Sequence, residues 1–222
     1  MGIILEDDCL PSQSFFSYCH ELLEKYKSDK RVWYICGTSF LNSGDLEDSS
    51  YYFSPLTQMW GWATWRDRWA EYDFSMKKYN NFVAHKYLDG IAYTFKIKQW
   101  FKDTLEYNYG ITTNWDCQWF FTTLINHGLC AVPKVNLVKN LGFDLAESAH
   151  IHGPDRILSA MKLNELELPL THPQIFCIDT HLDTKFFDWR TDSFKLNKIL
   201  IRLLFKPLQF IDSKLFNKKF FI

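Results

Sequence analysis

The feature that most constrains this chain is an apolar run that stops in acid. Gly2-Ile3-Ile4-Leu5 has the composition of a short buried strand, and it ends abruptly in Glu6-Asp7-Asp8. Pro11 and Ser12 then open a helix whose apolar positions, Phe15, Phe16, Cys19, Leu22, Leu23 and Tyr26, follow the helical period. Val32-Trp33-Tyr34-Ile35-Cys36 reads as the next buried strand, and Gly37 breaks it. Strand, acidic turn, helix and strand in that order predict a βαβ unit with parallel pairing and a right-handed crossover, hence an α/β fold. In open α/β sheets ligands bind beyond the carboxyl ends of the strands, which is where the acidic triplet falls.

Composition narrows the function classes. A chain of 222 residues with 47% hydrophobic and 23% charged residues builds a core and is not a disordered segment. The formal net charge of -1 carries no electrostatic signature of nucleic-acid binding, so no nucleic-acid partner is expected. The six cysteines form no C-x-x-C pair and no Cys/His cluster with zinc spacing, and scattered thiols of this kind fit a reducing compartment. Met1-Gly2-Ile3-Ile4-Leu5 lacks the basic start of a signal peptide, and no apolar run reaches the ~18–20 residues that span a bilayer. The expected location is the cytoplasm, including the inner face of a membrane.

Further along, Tyr51 to Ser54 reads as a strand, Ile91 to Leu105 as a helix, and Asn114 as the cap of a helix running to His127 with Gly128 as its stop. Leu129 to Pro133 and Val135 to Val138 read as short strands, and a loop containing His150 follows. The expected organisation is a main α/β part over residues 1–155, an irregular extension over 156–193 and a basic amphipathic tail over 194–222. In that tail Lys195, Lys198, Arg202 and Lys206 would line one stripe of a helix, the pattern of a peripheral membrane contact or of an ordinary packed terminal helix.

Four groups are candidates for chemistry, each with a plainer reading beside it. Three adjacent carboxylates repel one another and suit a hard divalent cation held together with phosphates, or else they form a solvated turn at the helix start. In Trp60-Gly61-Trp62-Ala63-Thr64-Trp65 the small residues permit close approach of a sugar or phosphate and the indoles offer stacking faces, or the indoles plug the core. Asp116, after Trp115, opens a helix, where an acid is favoured by the helix dipole and where burial beside an indole would make it a general base. His150 could add an imidazole ligand, with His152 competing for the role.

Taken together, Leu5-Glu6-Asp7-Asp8-Cys9-Leu10-Pro11, Phe15-Phe16, the tryptophan turn, Trp115-Asp116 with Gln118-Trp119, Asn136-Leu137-Val138 and Asn140-Leu141-Gly142-Phe143 resemble bacterial GT-A-type, family-2-like nucleotide-diphospho-sugar glycosyltransferases of the hemolytic-protein-like group. The similarity covers about residues 1 to 152. It implies a GT-A-like mixed sheet flanked by helices, Mn²⁺ or Mg²⁺ as cofactor, a nucleotide-diphosphate sugar as donor and a glycan or lipid-linked acceptor. It implies that Asp8 ligates the metal and His150 completes the metal site, with Glu6 and Asp7 acting through water or the donor ribose. Gly61, Trp62 and Ala63 would line the donor or acceptor sugar beside Trp115, and Asp116 would be the catalytic acid-base position. Such folds place strand-helix units for the nucleotide base and ribose ahead of the acidic motif, so the resemblance also implies an N-terminally truncated version that binds nucleotide-sugar weakly alone. A non-catalytic carbohydrate-binding remnant and a metal-dependent phosphotransferase are the alternative readings.

Overall fold

The computed structural model describes residues 1–41, 44–46, 48–110, 115–143 and 156–188. His150, His152, Asn114 and the tail 194–222 lie outside them. The chain divides into a compact unit over Met1–Phe186 and a second over Phe187–Ile222, and the account below concerns the first.

The strands are β1 (Gly2–Ile4), β2 (Cys9–Pro11), β3 (Val32–Cys36), β4 (Tyr51–Ser54), β5 (Trp62–Thr64), β6 (Leu129–Pro133) and β7 (Val138–Asn140). The helices are α1 (Gln13–Lys25), α2 (Arg66–Trp69), α3 (Tyr79–Ala84), α4 (Phe95–Asn108), α5 (Asp116–Ile125) and α6 (Arg156–Ser159). Five strands form a mixed sheet in the order β1-β5-β3-β6-β4, and β2 pairs with β7 in a small separate ladder. Among the described strands only β3 and β6 pair in parallel; β5 runs antiparallel to both β1 and β3, and β4 antiparallel to β6.

This topology corrects the expected βαβ unit. β1 and β3 do run in the same direction, but β5 lies between them, so the crossover through α1 skips one strand position. The small Ala63 sits at the centre of that insertion, paired with Ile3 on one side and Ile35 on the other. β1 is also not the buried strand its composition suggests. Gly2 and Ile3 are exposed and Ile4 is half-buried, because β1 has a neighbour on one side only among the described strands.

Both faces of the sheet are covered. Phe15, Tyr18, Cys19, Leu22, Leu23 and Tyr26 of α1 meet Val32, Ile35, Tyr51, Phe53, Ala63 and Ala131 in one core. On the other face Trp33, Tyr34, Cys36, Tyr52, Trp62, Cys130 and Val132 pack with Trp119 of α5. Burial on both faces explains why β3 reads as an unbroken apolar run. A bulge between Val32 and Tyr34 lets Trp33 and Tyr34 share one face, which strict alternation would forbid.

The remaining expectations shift by a few residues. The helix expected over Ile91 to Leu105 runs from Phe95 to Asn108, because the Thr94 hydroxyl accepts from the Ile97 N–H and caps it there. The helix ascribed to an Asn114 cap begins at Asp116 and ends at Ile125. Its terminus turns through His127 at φ 51°, while Gly128 is needed for space, since a Cβ there would lie 2.5 Å from Trp33 Cγ. The strand expected over Val135 to Val138 begins only at Val138.

Both ends of α1 are fastened by distant residues. At its start the Glu165 carboxylate accepts the backbone N–H groups of Gln13 (3.1 Å) and Ser14 (2.8 Å), the role that Ser12 would otherwise fill. Just beyond its end the buried Arg68 guanidinium donates to the carbonyls of Lys27 (3.0 Å), Tyr26 (3.1 Å) and Asp29 (3.1 Å) and stacks on Trp65. Residues expected to form an irregular extension therefore close the core: Leu166 and Leu170 join it, and Leu166 N–H donates to Ser14 Oγ. Among the described residues no helix is long and apolar enough to cross a membrane, and no cysteine is in a disulfide.

One carboxyl stands apart. Asp183 is 0% exposed, accepts a hydrogen bond from the Tyr93 hydroxyl and interacts with Ser54, and among the described residues its Oδ1 has no hydrogen-bond partner. Burial pushes its pKa up to about 7, with Asp179 adding to the rise against the Ser54 and Tyr93 hydrogen bonds. The folded chain thus holds this proton more tightly than the unfolded one. Its contribution to stability is complete below about pH 4 and is lost as pH rises through 7.

Two outcomes follow for stability. Asp183→Asn, which keeps the shape but does not ionise, should gain on the parent by roughly 1–4 kcal/mol between pH 5 and pH 8 in urea unfolding; equal pH profiles would contradict the buried-acid account. Arg68→Ala should cost about 2–4 kcal/mol, with Arg68→Lys recovering only part because an ammonium lacks the planar fork. A loss below 0.5 kcal/mol in either variant would mean that the carbonyls find other donors.

Candidate functional site

The acidic turn is held from both sides. β1 leads into it, the Cys9 N–H closes it onto the Glu6 carbonyl (3.1 Å), and β2 leaves it paired with β7 through Cys9–Asn140, Leu10–Lys139 and Pro11–Val138. The Leu141 N–H donates to the Asp8 carbonyl at 2.7 Å. Within this frame ligand atoms of Glu6, Asp8 and Cys9 all lie within 4.8 Å of one another, and each residue is half-buried. Asp7 is exposed and is not part of the cluster.

Crowding shows in the titration of Glu6. Burial raises its pKa, Asp8 raises it further, and Asp116 and Asp7 add smaller contributions, against a hydrogen bond from the Trp115 indole that favours the charged form. The same balance reveals a proximity that the sequence separates by more than a hundred positions: Trp115 touches Glu6, and Asp116 acts on it through space. Asp116 opens α5 and accepts the Cys117 N–H at 2.8 Å, so its carboxylate is oriented by the helix it starts. The Tyr72 hydroxyl donates to the Trp115 carbonyl at 3.1 Å and fixes the residue before it. Burial pushes the thiol of Cys9 up to about 12, so it remains protonated at neutral pH unless a cation displaces the proton.

Of the residues expected to carry chemistry, the fold brings Glu6, Asp8, Trp115 and Asp116 together. His150 falls outside the described residues. The tryptophan turn needs correction. Ala63 is 0% exposed in the middle of the sheet, and Gly61 is buried with its carbonyl accepting the Gly37 N–H at 2.8 Å. Gly61 is glycine for two reasons: its φ is +64°, and a Cβ would lie 2.6 Å from Val138 Cγ2. Neither residue presents a surface to a sugar. Trp65 is also a core residue, its indole donating to the Leu23 carbonyl. Trp62 is only 2% exposed, stacked between Tyr34 and Trp115, yet its ring forms part of the wall of a cavity beside β1.

Two participants were not foreseen. Cys9 follows the triplet directly, and the turn that joins β1 to β2 carries its thiol back to the carboxylates. Gly142 lies against Asp8: a Cβ there would stand 2.7 Å from Asp8 Oδ2 and 2.9 Å from Asn140 Oδ1, the oxygen that accepts the Gly142 N–H. The Asn140-Leu141-Gly142 stretch is thus one wall of the acidic site, a role its sequence suggests only through the family resemblance.

Among the described residues Glu6, Asp8 and Cys9 are the group whose ligand atoms could hold a metal ion. Burial and the neighbouring carboxylates raise the cost of the Glu6 charge, which a cation would relieve, and the thiol would offer a softer third ligand. No family model matches the chain, and no curated protein matches it.

Gly142→Ala tests the frame without touching a ligand. The added methyl must push Asp8 aside, so Mn²⁺ affinity should fall at least about fivefold by calorimetry, while Gly90→Ala, a control with open space at its Cβ and no positive φ, leaves it unchanged. Equal affinity in the two variants would show that Asp8 is not held where a metal needs it.

Proposed function

We propose that this chain is the metal-binding and catalytic part of a glycosyltransferase that takes a sugar from a nucleotide-diphosphate donor and passes it to an acceptor hydroxyl. The observation that carries the reading is the convergence of Glu6 and Asp8 with Trp115 and Asp116 at one end of the mixed sheet. That end is the ligand side expected of α/β sheets. The order of these elements along the chain is the order of the GT-A elements, and the antiparallel β5 beside β1 is compatible with a GT-A-like sheet.

Each residue then has a distinct task. Asp8 and Glu6 would hold Mn²⁺ or Mg²⁺ with Cys9 beside them, and Asp7, facing solvent, is free to meet the donor ribose. The bound ion supplies charge neutralisation to the departing diphosphate. Asp116 takes the proton of the attacking acceptor hydroxyl, which is general base catalysis by a carboxylate whose position is set by α5 and by Trp115. Trp115 links the two halves, because its indole holds Glu6 while its backbone precedes Asp116. Holding base, hydroxyl and donor in one frame supplies a large part of the rate. Partners are therefore a nucleotide-sugar donor and a glycan or lipid-linked acceptor.

A panel of nucleotide-diphosphate sugars read by product mass tests the reading. Turnover should require Mn²⁺ or Mg²⁺, stop with chelator, and disappear in Asp8→Asn. Asp116→Asn should lower kcat by about 10²–10⁴-fold with Mn²⁺ affinity retained. Sugar binding that ignores chelator and Asp8→Asn, with no product from any donor, would favour the carbohydrate-binding alternative and sink the enzyme.

A further inference from the structure

A cavity of about 540 Å³ lies beside β1, lined by Gly2 and Ile4 from that strand and by Trp62, Trp69, Tyr72 and Trp115 across from it. Its size is that of a small-molecule site. Among the described residues no carboxylate or amide side chain lines it; besides the indole N–H groups the polar lining side chains are Arg66, Thr64 and Tyr72, and Thr64 is engaged with the Trp33 carbonyl, Tyr72 with the Trp115 carbonyl and the Trp65 indole with the Leu23 carbonyl. The walls are rigid because the rings brace one another. Trp62 and Trp115 are stacked at 5.4 Å with 20° between their planes, and Trp69 and Tyr72 at 4.7 Å with 8°. A sugar in this space would lose the water around its hydroxyls and gain few partners, whereas a hydrocarbon or aryl group loses nothing polar.

One residue, Trp115, borders both the cavity and the acidic site. The Trp115 ring that lines the cavity also donates to Glu6, and Asp116 is the next residue in the chain. A body seated among the rings therefore has its polar end delivered to the carboxylates. From this juxtaposition we infer that the cavity takes the apolar body of the acceptor, an alcohol with a hydrocarbon or aryl tail, and presents its hydroxyl to Asp116. The assignment of the cavity to an acceptor rests on the glycosyl-transfer reading; the apolar-alcohol binding does not.

Gly2 provides a clean probe. It lines the cavity, and a Cβ built on it meets nothing within 4 Å, so Gly2→Leu fills the space without a clash and places a better strand former in β1. Farnesol is the apolar-alcohol probe and glucose its polar counterpart, with binding followed by indole fluorescence and calorimetry on the full chain, without donor or metal. Farnesol should bind in the micromolar range and glucose not at all. Gly2→Leu should weaken farnesol at least about tenfold while its Tm and its Mn²⁺ affinity stay at the parent values.

The inference is overturned by absent farnesol binding, by farnesol binding that Gly2→Leu leaves unchanged, or by glucose binding as well as farnesol does. It is also overturned if sedimentation shows a dimer that Gly2→Leu dissociates, since the cavity would then be an interface between copies. Failure of the transferase reading looks different: farnesol binds and Gly2→Leu blocks it, yet Mn²⁺ does not bind and no donor is turned over. That result removes the acceptor assignment and leaves an apolar-alcohol site.

Discussion

Everything near the acidic turn depends on a three-residue strand lying between two others. β5 joins β1 to the rest of the sheet, and Ala63 is shared by Ile3 and Ile35. Its smallness on the α1 face lets the helix approach, while Trp62 next to it projects to the opposite face and meets Trp115 and Trp119. The same strand thereby sets the height of the acidic turn and the position of the helix that begins with Asp116. A larger residue at 63 would press on the α1 core, and loss of β5 pairing would free β1 altogether.

The acidic turn gains its rigidity from belonging to two ladders. It is anchored upstream by the five-stranded sheet and downstream by the β2–β7 pair, so the carboxylates sit on a span of backbone with little freedom. Such a frame keeps the Glu6 carboxyl half-buried beside Asp8, and burial with the neighbouring carboxylates holds its pKa up. The thiol of Cys9 and the bare Cα of Gly142 border the same turn.

Much of this was legible in the chain itself. α1, β3, β4 and β6 announce themselves through helical period or unbroken apolar runs, and these are the elements buried in both cores. The order of β5 was not legible, because Trp62-Ala63-Thr64 is too short to show a period and looks like a turn between indoles. That misreading gave Gly61 and Ala63 a sugar to line, when backbone pairing and close packing are what demand small residues there. The carboxylates at 6, 8 and 116 were readable as candidates from residue type and placement at element ends, and the fold brings them near one another. Cys9 and Gly142 were not, since both act through a turn and a ladder that only the fold creates. Asp183 was equally hidden, its burial being the work of Tyr93 and Ser54 from other segments.

The fastening of α1 at both ends has a consequence for how the chain comes into being. The helix is made before both groups that fasten it: the carboxylate that satisfies its opening N–H groups is Glu165, and the cation that closes its far end is Arg68. Until synthesis has passed both positions the helix is frayed at its termini, and its apolar stripe lacks Leu166 and Leu170 as a lid. Completion of the helix thus waits for residues made well over a hundred positions after it, the kind of non-local contact that slows folding. Until Glu165, Leu166 and Leu170 have been made, the apolar stripe of α1 stays uncovered, the kind of surface on which unfinished chains associate.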